Sequence, residues 1–360
     1  MVAVSPSEPV RVRALRPGEG QAVAGLWREL WDAHEGWGGY TGSKDRHVYE
    51  QLAHRLDDDA RVRGGQPVLG RHIHLIATVG RTIAGQVEGW FEKHGVDEST
   101  PHTCEVRSLI VTRAVRASGV GRALLEQLAA STRELARGAP SFLVAEVLEP
   151  NPAHSFYAKV GYHPIAYAAR ASTARRSSPT VPPVDAPTPT RDVAPELEAR
   201  IAEPHDALAV AMLDASLAAR RRSQGDLRFD RPRSIDATVV GAIAAHLAHA
   251  RTSAISATEL VVTDERKDVR ASATLALSSL DPPFLPARRA LLGRLAVDPA
   301  ADPRPYVEAL LSLTRSLAAA RGAATVEITD LTAPGTPLHD AVLATGATPW
   351  SRVVARAVPA

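Results

Sequence analysis

Glu105-Val106-Arg107-Ser108-Leu109-Ile110-Val111-Thr112-Arg113-Ala114-Val115-Arg116-Ala117-Ser118-Gly119-Val120-Gly121-Arg122 is the stretch whose reading decides the fold. Leu109, Ile110 and Val111 give an apolar strand a β-branched end. Residues 116–121 then read as a turn, and Leu124, Leu125, Leu128 and Ala129 recur at helical spacing. A helix that opens in glycine aims several backbone N–H groups at one place, and its dipole favours an anion there. Gly119 and Gly121 carry no side chain to hold a phosphate off the backbone. The chemistry implied is a cradle for a diphosphate.

Working outward, Val10 to Leu15 suits a first strand. Residues 17–34 read as a helix, with Val23, Leu26, Trp27, Leu30 and Trp31 on one stripe. Ser43 is placed to cap a second helix through Leu56, which Asp57, Asp58 and Asp59 would end. His72 to Val79 and Thr82 to Phe91 form a hairpin about Gly80 and Arg81. After the glycine-led helix come a strand at Phe142–Val147, a short helix at Pro152–Val160 and a strand at Tyr162–Ala169.

Two patterns now stand together: Arg116-x-x-Gly119-x-Gly121, and Phe156-Tyr157-Ala158-Lys159-Val160-Gly161-Tyr162 on the next strand–helix unit. Together they resemble the GNAT superfamily of N-acetyltransferases, whose acetyl-CoA loop is (Arg/Gln)-x-x-Gly-x-(Gly/Ala) and whose last helix often carries Tyr-x-x-x-Gly-(Phe/Tyr). The resemblance covers residues 10–168, and the element order β-α-α-β-β-β-α-β-α-β agrees with it.

Residues 170–195 are rich in Pro, Ser, Thr, Ala and Arg and read as an interdomain linker. Beyond them the element order repeats at a spacing of about 190 residues, which marks a duplicated domain. The expected fold class is α/β (α+β): two tandem GNAT-like domains, each a mixed, largely antiparallel sheet flanked by helices. The expected division is a catalytic domain at 1–169, a linker at 170–195 and a degenerate copy at 196–360.

In the second copy, Leu295-Ala296-Val297 matches Leu109-Ile110-Val111, but the stretch that follows, residues 298–305, has no glycine. It carries Pro299, Pro303 and Pro305, which lack the N–H a cradle needs, and Asp298 and Asp302, which would repel a diphosphate. Counting back from Gly346 as Tyr157 stands to Gly161 gives Val342.

The resemblance implies a set of roles. Leu109, Ile110 and Val111 would bond the pantetheine arm and polarise the thioester carbonyl through their backbone. Arg116, Ala117, Ser118, Gly119, Val120, Gly121 and Arg122 would hold the diphosphate, and Asn151 the pantetheine. Ala117 stands where the family often has glycine. Tyr157 would be the acid for the departing thiolate. Glu105 is the first choice of base, with Glu88 and Glu146 as competitors. Trp31, His34 and Glu35, with Trp37 beside them, lie where the family binds its acceptor, and aromatics with a carboxylate suit a cationic amine. Asp57 to Asp59 could attract a polyamine or an aminoglycoside, or be a solvated helix end.

The chain has 360 residues, a net charge of +2 and 45% apolar residues. That charge excludes a strong field for nucleic acid or a membrane surface. Cys104 is the single cysteine, so no intrachain disulfide is possible. His72 and His74 share a strand face but lack an evident third ligand, so no metal is expected. Residues 1–10 lack a signal pattern and no apolar run is long enough to span a bilayer, so a cytoplasmic protein is expected. The expected activity is acetyl transfer from acetyl-CoA to a primary amine of a small molecule, by a monomer (a pseudo-dimer) or a homodimer. The alternatives are a protein N-acetyltransferase and a CoA-binding sensor or sequestering module without turnover.

Overall fold

The computed structural model describes residues 9–93, 101–174, 197–229, 235–252, 257–280, 284 and 287–359. The chain separates into two compact units that exchange a strand. The first unit gathers the described residues up to Ile165 together with Leu280, Phe284 and those from Ser351 on; the second gathers 166–279 and 287–350.

The first unit runs β1 (Val10–Arg13), α1 (Gly20–Gly36), α2 (Arg46–Arg63), β2 (Val68–Leu69), β3 (His72–Val79), β4 (Thr82–Glu92), β5 (His102–Val111), α3 (Val120–Ala136), β6 (Ser141–Leu148) and α4 (His154–Lys159), and ends in β7 (His163–Ser172), most of which belongs to the second unit. The second continues with β8 (Glu198–Ile201), α5 (Ala207–Ser223), α6 (Ala237–Thr252), β9 (Ala257–Thr263), β10 (Val269–Leu280), β11 (Ala287–Val297), α7 (Pro303–Ala320), β12 (Thr325–Leu331) and α8 (Pro337–Ala344). β13 (Thr348–Val358) closes the chain.

In the first unit the strand order is β1-β3-β4-β5-β6-β13, with β2 beside β3. β5 and β6 run parallel; β1–β3, β3–β4, β4–β5 and β6–β13 are antiparallel. In the second the order is β7-β12-β11-β10-β9-β8, with β11–β12 parallel.

The expected division at 169 and 196 keeps β7 and β13 each with its own half. The packing gives each to the other unit. β13 pairs β6 from Ser351↔Leu148 to Val358↔Ser141 and sends Val354 and Val358 into the first core. β7 pairs β12 from Thr325↔Ser172 to Leu331↔Tyr167 and sends Ala169 and Ala171 into the second. The two strands share the tripeptide Ala-Arg-Ala, at Ala169-Arg170-Ala171 and Ala355-Arg356-Ala357, but in opposite phase: the alanines face the second core in β7, whereas in β13 Val354 and Val358, on the face of Arg356, enter the first. Most of the expected linker, residues 175–195, lies outside the described residues.

One face of the first sheet is covered by α3, whose Leu124, Leu125 and Leu128 are wholly buried against Ile73, Leu75 and Val87. Each contributes about 1.5–3 kcal/mol of apolar burial. The other face takes α1 and α2, through Val23, Trp31, Leu52, Leu56 and Ile76. The second helix differs from expectation at both ends. Asp45, not Ser43, caps it by accepting the His47 N–H at 2.9 Å. It also runs through the aspartates to Arg63, because each of them has a partner. Asp57 accepts the N–H groups of Gly18 and Gly20, while Asp58 and Asp59 pair with Arg61 and Arg63. Gly20 is required there: a Cβ would lie 2.2 Å from the Ala53 carbonyl oxygen.

Candidate active site

β5 carries the site because its two neighbours treat it differently. Its antiparallel ladder to β4 continues to Gly85↔Val111, but the parallel ladder to β6 stops at Val106↔Ala145. A bulge between Glu88 and Gly89, which places Arg107 as the extra residue, accompanies the parting. Past Val106, the backbone of Leu109, Ile110 and Val111 therefore has a strand on one side only.

A cavity of about 520 Å³ opens where β5 and β6 separate. One end is the start of α3. Ala117 and Gly119 both have positive φ, +68° and +89°, and Gly119 is the residue before the helix. No side chain caps this N-terminus, so its first-turn N–H groups face the cavity end unclaimed by the helix. Gly121 meets Phe156 of α4 so closely that a Cβ would sit 3.0 Å from Cζ. Arg116 folds back on the strand end, its Nε donating to the Val111 carbonyl at 3.3 Å.

α4 supplies Tyr157, only 8% exposed, packed edge-on against Phe156 and Tyr162. Burial raises its pKa well above the ordinary phenol value, so at neutral pH it is protonated and can donate. Asn151 lies on the same wall, its side-chain oxygen accepting the Ala153 N–H at 2.9 Å and so fixing the first turn of α4.

The far end is aromatic. Trp31, His34 and Trp37 line it, with His34 edge-on to Trp31 at 5.4 Å and tilted against Trp37 at 5.3 Å. Phe284 packs on Trp31 at 4.0 Å. Burial lowers the His34 pKa from 6.5 to about 4, and its Nδ1 is buried without a partner. The unfolded chain therefore binds a proton at His34 that the folded one refuses. His34 contributes stability that is complete above about pH 6.5 and is lost as pH falls towards about 4. Melting temperatures of the native protein should fall more steeply over that window than those of His34→Phe; parallel curves would remove the assignment.

The structure thus brings Leu109, Ile110, Val111, Arg116, Ala117, Gly119, Val120, Gly121, Arg122, Asn151, Tyr157, Trp31 and His34 to one cavity. It does not bring Glu105, Glu35 or Ser118 to its wall. Glu105 points to solvent and pairs with Arg107, Glu35 is held by Lys44, and the Ser118 hydroxyl donates to the Val115 carbonyl. Of the competing carboxylates, Glu88 faces His72 at 3.6 Å away from the cavity, whereas Glu146 lines it. Among the described residues no group of three or more His, Cys, Asp or Glu could hold a metal ion. His72 contacts Arg63 and Glu88, and His74 contacts Gln86.

Arg107 and Ser108 line the cavity and were not anticipated; two polar residues in succession break the alternation of a strand and are the trace the bulge leaves. Ser351, which donates to Glu146 at 2.5 Å, left none.

The corresponding place in the second unit is closed by its own chain. Asp298 accepts the Ala300 N–H and the Arg270 guanidinium, and its carboxyl is held below the usual range, first by the Ala300 bond. Asp302 caps α7 by accepting the Arg304 N–H at 3.1 Å, while Pro303 and Pro305 have none to give. Val342 is wholly buried in the second core.

Residues 27–162 match the model of the acetyltransferase (GNAT) family. Among solved structures, the chain is similar to a GCN5-related N-acetyltransferase from Sphaerobacter thermophilus, at 13% identity over 98% of both chains with a TM-score of 0.56. It is similar to the glucosamine N-acetyltransferase region of a fungal multi-domain GH3 β-N-acetylglucosaminidase, at 14% identity over 97% of this chain and 38% of that one, with a TM-score of 0.51. A tandem GNAT protein from the clavulanic acid biosynthesis pathway matches at 17% identity over 98% of this chain and 99% of that one, with a TM-score of 0.46. No curated protein matches. The likeness to the Sphaerobacter and fungal proteins is one of fold. Residues 27–162 are a domain of the acetyltransferase (GNAT) family, in a chain with the fold of the GNAT N-acetyltransferases.

Proposed function

We propose that the protein is an acetyl-CoA-dependent N-acetyltransferase that acts on a primary amine of a small molecule from its first unit, the second unit being structural. The reading rests on one observation: an uncapped glycine-led helix start, a half-paired strand end and a buried tyrosine share one cavity. The first-turn N–H groups of α3, with Arg116 and Arg122, suit the diphosphate, and the absence of a Cβ at Gly121 lets Phe156 of α4 pack against that turn. The one-sided backbone of Leu109–Val111 offers donors to the pantetheine arm and the thioester carbonyl. Tyr157, kept protonated by burial, donates its proton to the leaving sulfur.

Thiol release from acetyl-CoA across a panel of amines tests this. Tyr157→Phe should lower kcat by about 100-fold, the usual scale of a lost proton donor, while CoA affinity stays within about twofold. Unchanged turnover removes the role of Tyr157. Tight CoA binding without acetylation of any amine favours a binding module instead.

A further inference from the structure

The cavity wall divides sharply by charge. Its cationic side chains are Arg107, Arg116, Arg122 and Lys159, and its carboxylate, alone among the described lining residues, is Glu146 on β6. An anionic cofactor is welcome along most of the wall, but an ammonium is welcome only at Glu146. Ser351, from the strand that the end of the chain contributes to this unit, donates to Glu146 Oε1 at 2.5 Å and fixes the carboxylate.

The same cavity has an apolar wall made of Trp31, His34 and Trp37. His34 is held neutral by burial, so the wall sets no positive charge against an incoming cation. The indole of Trp37 favours one, by about 0.5–2 kcal/mol, while Trp31, stacked on Trp27 and covered by Phe284, gives an acceptor's body an apolar edge. A cavity of about 520 Å³ that must also take the pantetheine arm encloses a small ring, whereas several sugars would extend beyond it into solvent. A second or third ammonium would have no carboxylate on this wall and would be desolvated without return.

We propose that the acceptor is a primary monoamine with an aromatic or apolar body, whose ammonium is received by Glu146 while its body lies against Trp31 and Trp37. This rests on the acetyltransferase reading above. The ammonium gives one proton to the Glu146 carboxylate. The neutral nitrogen forms the C–N bond as the C–S bond breaks, and the thiolate takes the Tyr157 proton. The second nitrogen proton returns through solvent to Tyr157, and Glu146 releases its proton, leaving the amide, the thiol and one net proton.

The test compares 2-phenylethylamine, spermidine and kanamycin as acceptors for the full chain, with CoA binding followed separately by calorimetry. The expected result is a kcat/KM for 2-phenylethylamine at least 100-fold above those of the other two. Glu146→Gln should lower it by about 100-fold and Trp37→Ala should raise KM by about tenfold, both with CoA affinity unchanged. Ser351→Ala, which only loosens the carboxylate, should lie between Glu146→Gln and the native protein. Preference for spermidine or kanamycin, or full activity in Glu146→Gln, overturns the proposal and leaves the acetyltransferase reading standing. Acetylation of none of the three, with CoA bound, overturns both the acceptor class and the enzyme reading that supports it.

Discussion

A chain ended after Ala347 is expected to lose acetyl-CoA binding, although it keeps every side chain that lines the cavity. The loss comes from β13. That strand supplies the last ladder of the first sheet, from Ser351↔Leu148 to Val358↔Ser141, and the buried Val354 and Val358. Two aliphatic side chains contribute roughly 3–6 kcal/mol of burial, of the order of a domain's whole stability. Leu143, Ala145 and Val147 of β6 lose their cover, and with them the strand that forms one lip of the cavity. Calorimetric titration should give no heat of CoA binding, and a synthetic peptide of residues 348–360 should restore part of it by adding back as a strand. Native affinity in the shortened chain would contradict the exchange, and would mean that another segment pairs with β6.

Gly121→Asp is expected to weaken CoA binding by more than 100-fold. The position faces two constraints at once. Its Cβ would lie 3.0 Å from Phe156 Cζ, so the Phe156 ring would have to give by a few tenths of an ångström. The new carboxylate would sit in the first turn of α3, where it would occupy the N–H groups and repel the diphosphate. Asp302→Gly, at the start of α7 in the second unit, costs only about a few tenths of a kcal/mol at the cap and should leave CoA affinity unchanged. A large change in CoA affinity from Asp302→Gly, with Gly121→Asp silent, would reverse the roles of the two units.

The element order was legible because glycines and prolines punctuate apolar runs of the right period, and the α3 end of the cavity because its cues are local. Arg116 to Arg122 is one short segment, and Tyr157 stands at a fixed distance from Gly161. The aromatic end depends on residues far apart in the chain. Glu105 and Glu146 are both carboxylates on central strands with apolar neighbours, and pattern alone does not separate them. What separates them is the bulge at Arg107, which leaves Glu105 beside Arg107 in solvent, and the pairing of β6 with β13, which holds Glu146 at the cavity. Phe284 reaches Trp31 from a segment whose sequence gives no hint of its destination. The strand exchange was illegible for the same kind of reason, since β13 pairs with β6, which lies about 200 residues earlier in the chain.

The most direct measurement is the number of acetyl-CoA molecules bound per chain, by calorimetric titration of the native protein and of Gly121→Asp. Of the two corresponding helix starts, that of α3 is uncapped and glycine-led and that of α7 is capped by Asp302 and interrupted by prolines, which predicts one molecule for the native chain and none for the variant. Two molecules per chain, or one that persists in Gly121→Asp, would contradict it.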